Sequence, residues 1–242
     1  MVNVTVKFNN RDYILSCEDG QEHELEKLSL HLNTKFEQLK NDLGNIGESK
    51  LLLISSIQVI DERLRKYFFS LRKNKYFNLN NKDFEPLISE ILRYKKITVG
   101  SYYSINFELD LKILNTLLFK KGISLSLPFI HEHNQLMEFK KWDLNDALHL
   151  NKYGIPQTSI ESKTLFPDIF LVPLLAFDKY GNRLGYGSGY YDKYFNMLNK
   201  SKKRFKTIGI GFSFQKEDKL KVLRTDFCLD AVFTEKGFLN IK

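Results

Sequence analysis

The first eighteen positions alternate: Val2, Val4, Val6 and Phe8 are separated by polar residues, which predicts a half-buried strand. Asn9-Asn10 supplies a turn, and Tyr13, Leu15 and Cys17 continue the alternation, so residues 2–17 read as a hairpin. The period then changes. Leu25, Leu28, Leu32, Phe36, Leu39 and Leu43 step by three or four, as one face of a helix does. Asp19 with Glu22 three residues on has the spacing of a capping box, and Gly44 and Gly47 break this helix. A second long helix is expected from near Glu48, with Leu53, Ile57, Ile60, Leu64, Tyr67 and Leu71 forming an a/d seam. Such a seam pairs two chains or packs on the chain's own core; spacing alone does not separate the two.

Beyond Pro86 the pattern predicts a strand over 96–103, a helix over 109–121, strands over 123–130 and 168–175, a helix over 190–199, and strands over 206–213 and 229–233. Helices between short apolar strands imply an α/β fold with a mainly parallel sheet, whose ligands lie at the strand C-terminal ends. Residues 131–166 are less regular and read as a hairpin plus a covering loop.

Composition narrows the class. The chain has 242 residues, 43% hydrophobic and 27% charged, enough for one large domain or two smaller ones. No apolar run reaches the ~20 residues of a membrane span, and the N-terminus has no signal-peptide core. Cys17 and Cys228 are the only cysteines, which excludes a disulfide framework and fits a reducing cytoplasm. Net charge is +8, but residues 1–62 carry 6 Lys+Arg against 11 Asp+Glu, while the remainder carries 31 against 18. The asymmetry argues for two modules, about 1–62 and 63–242, sharing a junction helix over about 49–75. The basic part implies an anionic partner such as a nucleotide. Nucleic acid is not expected, because the basic residues are scattered and no RNA-binding or zinc-finger pattern occurs.

The densest chemical signal lies at 171–192, LVPLLAFDKYGNRLGYGSGYYD. An apolar strand enters a loop with Gly181, Gly185, Gly187 and Gly189 and leaves through Tyr190-Tyr191-Asp192 into a helix. Converging backbone amides at a helix start hold phosphate, although glycines alone also fit an ordinary turn. No Gly-Lys-Ser/Thr follows, so this is not a Walker A loop. His131-Glu132-His133 lacks a third ligand at suitable spacing, so a loop is favoured there over a zinc site.

Pro173, Phe177-Asp178, Gly181, Arg183-Leu184-Gly185, Gly187 and Gly189-Tyr190-Tyr191-Asp192 fill the signature of the 5-formyltetrahydrofolate cyclo-ligases, or methenyltetrahydrofolate synthetases. LRKYFFSLRKNK (64–75), INFELD (105–110), LSLPFI (125–130), YGIPQ (153–157) and DFCLDAVFTEKG (226–237) resemble the same family in the same order, covering residues 63–242. The resemblance implies ATP-dependent closure of 5-formyltetrahydrofolate to the 5,10-methenyl product, with ATP as co-substrate and Mg²⁺. It implies ATP contacts from Arg65, Arg72, Arg183, Leu184, Gly185, Tyr186, Gly187, Ser188, Gly189, Tyr190 and Tyr191, with Arg183 catalytic. Folate contacts fall on Tyr103, Glu108, Tyr153 and the stretch Tyr186–Tyr190, and metal ligands on Asp192 and Asp230. Asp61 stands where the family carries a lysine, and Thr158 where it carries a second proline.

VTVKFNNRDYILSCEDGQEHELEKL and LKNDLGNIGESKLLLISSIQVIDE resemble ZapA-type cell-division proteins. That resemblance implies an FtsZ contact through Arg11 and Lys40 and a homodimer through the junction helix. The family's long C-terminal coiled coil is missing. The chain therefore reads as a ZapA-like head leading into a folate cyclo-ligase. Its rivals are a division scaffold with a degenerate ligase module and an unrelated sugar-phosphate or nucleotide binder.

Overall fold

The computed structural model describes residues 1–132, 136–221, 223–239 and 241. The chain divides into two compact units, Met1–Tyr67 and Phe68–Lys242.

In the first unit, β1 (Val2–Phe8) and β2 (Arg11–Cys17) pair antiparallel, Phe8 opposite Arg11. Asn9 (φ 44°) and Asn10 (φ 60°) both take the left-handed region, as a two-residue turn matched to strand twist requires. Val4 and Val6 are buried, and Phe8 meets Phe36 edge to face at 4.9 Å. Helix α1 (Glu22–Leu43) begins after Gln21, with no side-chain cap bond, so the expected Asp19–Glu22 capping box does not form. Glu22 and Glu24 in its first turn still complement the helix dipole. Gly44 (φ 70°) ends α1, and α2 spans Glu48–Lys75. Glu62 on α2 takes Lys35 Nζ at 2.7 Å and His31 at 3.0 Å, and Arg63 reaches Glu24 at 2.9 Å, tying α1 to α2. On α2, Leu51, Ser55 and Val59 are buried, while Leu53, Ile57 and Ile60 are 62%, 57% and 58% exposed.

The second unit takes in the last turns of α2 and then α3 (Glu85–Ile91), β3 (Thr98–Gly100), α4 (Lys112–Lys120) and β4 (Ser124–Ile130). Next come β5 (Met137–Lys141), β6 (His149–Leu150), β7 (Pro156–Gln157), β8 (Thr164–Leu165), β9 (Ile169–Pro173), β10 (Ala176–Asp178) and β11 (Arg183–Leu184). The last elements are α5 (Tyr190–Lys200), β12 (Lys206–Ile210), β13 (Lys216–Glu217), β14 (Ala231–Thr234) and β15 (Gly237–Leu239). The main sheet has the order β15-β14-β12-β9-β3-β4-β5-β8.

The strands from β14 to β4 run parallel, but β15 pairs antiparallel with β14 at one side, and at the other β5 pairs antiparallel with β4 and β8 antiparallel with β5. The sheet is therefore mixed, and the mainly parallel arrangement expected from the sequence holds only for its centre. Parallel strands need helical crossovers, whereas β4–β5 and β14–β15 are local hairpins, which force the antiparallel sense. The expected strands over 168–175 and 206–213 stop at Pro173 and Ile210. Gln215 causes both endings, because its Nε2 takes the Leu174 and Leu175 carbonyls while its Oε1 accepts from Phe212 N.

Both faces of the sheet are covered. Val99, Leu125, Leu127, Leu171 and Ile210 pack with Leu87, Ile91, Leu114 and Leu118 of α3 and α4. Phe139, Phe170, Val172 and Val232 pack with Tyr194, Phe195 and Leu198 of α5. Burial on two faces explains the unbroken apolar run of β9, and each large side chain so buried contributes about 1.5–3 kcal/mol. Among the described residues, no helix is long and apolar enough to cross a membrane.

Candidate active site

The segment joining β3 to α4 leaves the C-terminal end of a central strand. It carries two consecutive non-glycine residues in the left-handed region, Asn106 (φ 50°) and Phe107 (φ 61°). Strain of this kind persists only where neighbours hold it. Here the Ile105 N–H donates to Glu108 Oε2 at 2.9 Å, and the Asn106 carbonyl accepts from Arg72 Nη2 at 2.6 Å. The segment thereby turns Glu108 inward, leaving it 5% exposed, while Tyr103 stays exposed.

Arg72 is 1% exposed. Its Nη1 donates to the Leu174 carbonyl at 3.2 Å, and its Nη2 donates also to Tyr186 Oη at 2.5 Å. Among the described residues its Nε is buried without a partner, which is a cost. Tyr186 in turn donates to Glu108 Oε1 at 2.7 Å, completing an Arg72–Tyr186–Glu108 chain that links α2, the glycine loop and the β3–α4 segment. Burial pushes the Glu108 carboxyl above its ordinary range, opposed by the Ile105 N–H, the Tyr186 hydroxyl and the Arg72 charge. Burial, with the Glu108 charge, also raises Tyr186, Tyr191 and Tyr102.

The loop from Gly185 to Gly189 follows β11. Gly187 (φ 98°) and Gly189 (φ 66°) need the left-handed region, and Gly189 is the N-cap of α5. Tyr186, Gly187 and Ser188 are exposed, and Leu184 is buried beneath them. Tyr190, first in α5, shares a 2.8 Å hydroxyl contact with Tyr153 from the β6–β7 loop. Burial and this contact raise Tyr190 to about 12, while the contact and the Lys152 ammonium lower Tyr153. The Tyr191 hydroxyl is buried without a partner among the described residues.

Arg183 donates from Nη1 to the Phe227 carbonyl and from Nη2 to Asp192 Oδ1, each at 2.9 Å, and Asp192 Oδ1 also accepts from Phe227 N. Asp230 is held elsewhere. Its Oδ2 accepts from Thr207 N at 2.7 Å and Oγ1 at 2.8 Å, at the end of the sheet where β12 and β14 begin. The two aspartates expected to share a metal thus have different anchors. Asp192 has the hard-oxygen chemistry magnesium takes from one carboxylate plus phosphate oxygens. Among the described residues, no group of three or more His, Cys, Asp or Glu could hold a metal by itself. His131 pairs with Glu138 at 2.8 Å, and His133 lies outside the described residues. Arg65, in the first unit, bonds both oxygens of Asp61 at 2.8 and 2.9 Å, which neutralises the acid standing in the lysine's place.

Of the residues expected from the sequence, the structure joins Arg72, Glu108 and Tyr186 in one network, Arg183 with Asp192 in another, and Tyr153 with Tyr190 in a third. Sequence reasoning missed Gln215 and Tyr102. Gln215 fixes the chain after β9, and Tyr102 donates to the Leu109 carbonyl beside Glu108. Neither lies in a spacing or motif that would have marked it.

A family model for the 5-formyltetrahydrofolate cyclo-ligase family matches residues 62–235, and one for cell division protein ZapA matches residues 4–75. The 5-formyltetrahydrofolate cyclo-ligase of Escherichia coli (strain K12) is 30% identical over 142 residues, covering 57% of this chain and 77% of that relative. The Haemophilus influenzae cyclo-ligase is 29% identical over 127 residues, covering 50% of this chain and 67% of its own. The solved 5,10-methenyltetrahydrofolate synthetase of Aquifex aeolicus superposes with a TM-score of 0.59 at 26% identity, over 76% of this chain and 93% of that one. The Mycoplasma pneumoniae synthetase gives 0.55 at 25% identity, over 72% and 98%. With its motifs, its sheet and well over half its length matched in one direction, the chain belongs to the 5-formyltetrahydrofolate cyclo-ligase family and is an enzyme of the ligase class.

Proposed function

We propose that this chain converts 5-formyltetrahydrofolate to 5,10-methenyltetrahydrofolate with hydrolysis of ATP to ADP and phosphate. The formyl oxygen is a poor leaving group at neutral pH. Attack of that oxygen on the γ-phosphorus expels ADP; N10 then attacks the activated carbon, and phosphate departs with the C–O bond. Such chemistry asks the protein for positioning and charge stabilisation.

The observation that carries the reading is the convergence of Glu108, Arg72 and the glycine loop on one another. A buried carboxylate can accept two parallel bonds from the amino and N3–H groups of a pterin. Gly187 and Gly189 leave backbone N–H groups of the loop and the α5 start to meet phosphate, and Arg183 supplies a fixed charge beside them. Asp192 would hold magnesium through its carboxylate together with nucleotide phosphates; the ion, when bound, screens phosphate charge. Tyr103 and Tyr153 offer aromatic faces for the folate, and Arg65 and Asp230 are assigned to nucleotide and metal by the family pattern alone.

The decisive experiment mixes purified protein, Mg-ATP and 5-formyltetrahydrofolate and follows methenyl-folate absorbance. An ATP-dependent rise is expected; its absence leaves the scaffold reading. The ZapA match and the exposed α2 stripe favour a second role for residues 4–75, dimerisation and contact with FtsZ through Arg11 and Lys40. Cosedimentation with FtsZ filaments tests it.

A further inference from the structure

Tyr186 is divided between solvent and interior. The residue is 41% exposed, yet its hydroxyl lies inside, donating to Glu108 Oε1 at 2.7 Å and accepting from Arg72 Nη2 at 2.5 Å. The Arg72 guanidinium carbon stands 5.6 Å from the centre of its ring. Glu108 has its other oxygen, Oε2, on the Ile105 N–H. Paired bonds from a ligand need both oxygens, and the Tyr186 hydroxyl fills one of the two acceptor sites on Oε1, a site for which the incoming donor competes.

We propose that the Tyr186 hydroxyl is a displaceable stand-in for substrate: it satisfies Glu108 in the resting enzyme and leaves when the donor edge of the reduced pterin arrives, so this side chain sets the affinity for the folate. The proposal rests on the reading of Glu108 given under Proposed function, and it adds a specificity-determining role for a residue of the loop.

The surroundings allow the exchange. Tyr186 is flanked by Gly185, where a Cβ would meet nothing within 4 Å, and by Gly187 at φ 98°, two residues that carry no side chain to crowd the phenol when it moves. When the phenol leaves, Arg72 keeps the Asn106 and Leu174 carbonyls, and Glu108 keeps the Ile105 N–H. Among the described residues the ionisable groups facing Glu108 are Arg72, Tyr102, Tyr186 and Tyr191. The three phenols stay protonated because burial and the carboxylate's charge raise them, which leaves Arg72 as the charged neighbour. A buried carboxylate losing a donor requires another, and N–H groups of a ligand supply it at little net cost.

Calorimetric binding of 5-formyltetrahydrofolate to the full chain without ATP tests this with three variants. Tyr186→Phe removes the competing donor and is expected to tighten binding about tenfold, the worth of one hydrogen bond to a charged group. Its acid limb should also move to higher pH, because Glu108 loses a bond that favours its ionised form. Tyr186→Leu, which removes ring and hydroxyl, should change affinity in the same direction. Binding by Tyr186→Phe that is equal to or weaker than wild type overturns the proposal. Glu108→Gln keeps the two failures apart. If it weakens binding while Tyr186→Phe does not tighten it, the stand-in role alone is wrong. If it leaves affinity unchanged, Glu108 does not hold the folate and both readings fall.

Discussion

Arg183 and Asp192 are joined at 2.9 Å, and both grip residue 227: the arginine takes its carbonyl and the aspartate its N–H. The segment around Phe227 is thereby pinned to β11 and to the first turn of α5. The arginine side chain is 5% exposed and the aspartate 24%, so the pair works partly out of water, where charge and geometry count for more than at a surface. Arg183→Ala is expected to lower turnover by at least about 100-fold and to cost about 1–3 kcal/mol of stability, since Asp192 loses its cation. Arg183→Lys keeps the charge but not the fork and should fall between. Steady-state kinetics with varied ATP, beside thermal melts, check both. Unchanged kinetics remove Arg183 from the mechanism.

Glu108 makes the site pH-dependent. Its carboxyl is raised by burial, so as pH falls through the raised pKa it protonates and can no longer accept the pterin's donors; folate affinity is expected to drop on the acid side. Stability runs the other way. Above the ordinary value of 4.5 the folded state holds the proton more tightly than the unfolded chain, so Glu108 favours folding at low pH and this contribution is lost as pH rises through the raised value. Glu108→Gln should accordingly melt higher than wild type at about pH 8 and converge with it in acid. A variant less stable than wild type at every pH would show that the ionised carboxylate is a net stabiliser of the fold.

How much of this was legible beforehand depended on how local each signal is. The Asn9-Asn10 turn, the break at Gly44 and the α5 start at Tyr190 lie where short patterns put them, because turn chemistry and helix period act over a few residues. The edges of the sheet were less legible: β15 and β5 pair antiparallel with their inner neighbours and β8 with β5, and strand sense depends on the connection, not on the apolar pattern of the strand itself. The signature residues of the loop were visible, but Tyr186 reaches Glu108 across 78 positions and Arg72 across 114, and no spacing encodes such a contact. Arg72 read as a phosphate ligand, and the bonds it donates to the Asn106 and Leu174 carbonyls while 1% exposed were equally outside the reach of any local pattern.

Gly181 controls how the loop is seated. It has φ 83°, and a Cβ there would stand 2.5 Å from the Leu229 carbonyl oxygen, a backbone atom with little freedom to yield. The same pair of chain segments is tied by Leu229 N donating to the Gly181 carbonyl at 2.8 Å. Gly181→Ala is therefore expected to cost about 3 kcal/mol, or roughly ten degrees of melting temperature. Turnover should fall with it, because Arg183 lies two residues on. A melt within a degree or two of wild type would mean that the turn relaxes freely.

The exposed face of α2 gives the last prediction. Leu53, Ile57 and Ile60 lie at spacings of four and three and remain in solvent, while Leu51, Ser55 and Val59 on the other side are buried. The seam is therefore not consumed by the first unit's own core. A two-fold partner would cover each of these side chains on both copies, at about 1.5–3 kcal/mol apiece, enough to offset the entropy of association. Light scattering behind a sizing column should show a dimer at micromolar protein. Ile57→Glu places two carboxylates face to face at the axis and should give a monomer. Because Ile57 is 57% exposed, that change should leave the melting temperature of the monomer nearly as it was. A wild-type monomer at the same concentration would refute the pairing and leave the stripe for some other partner.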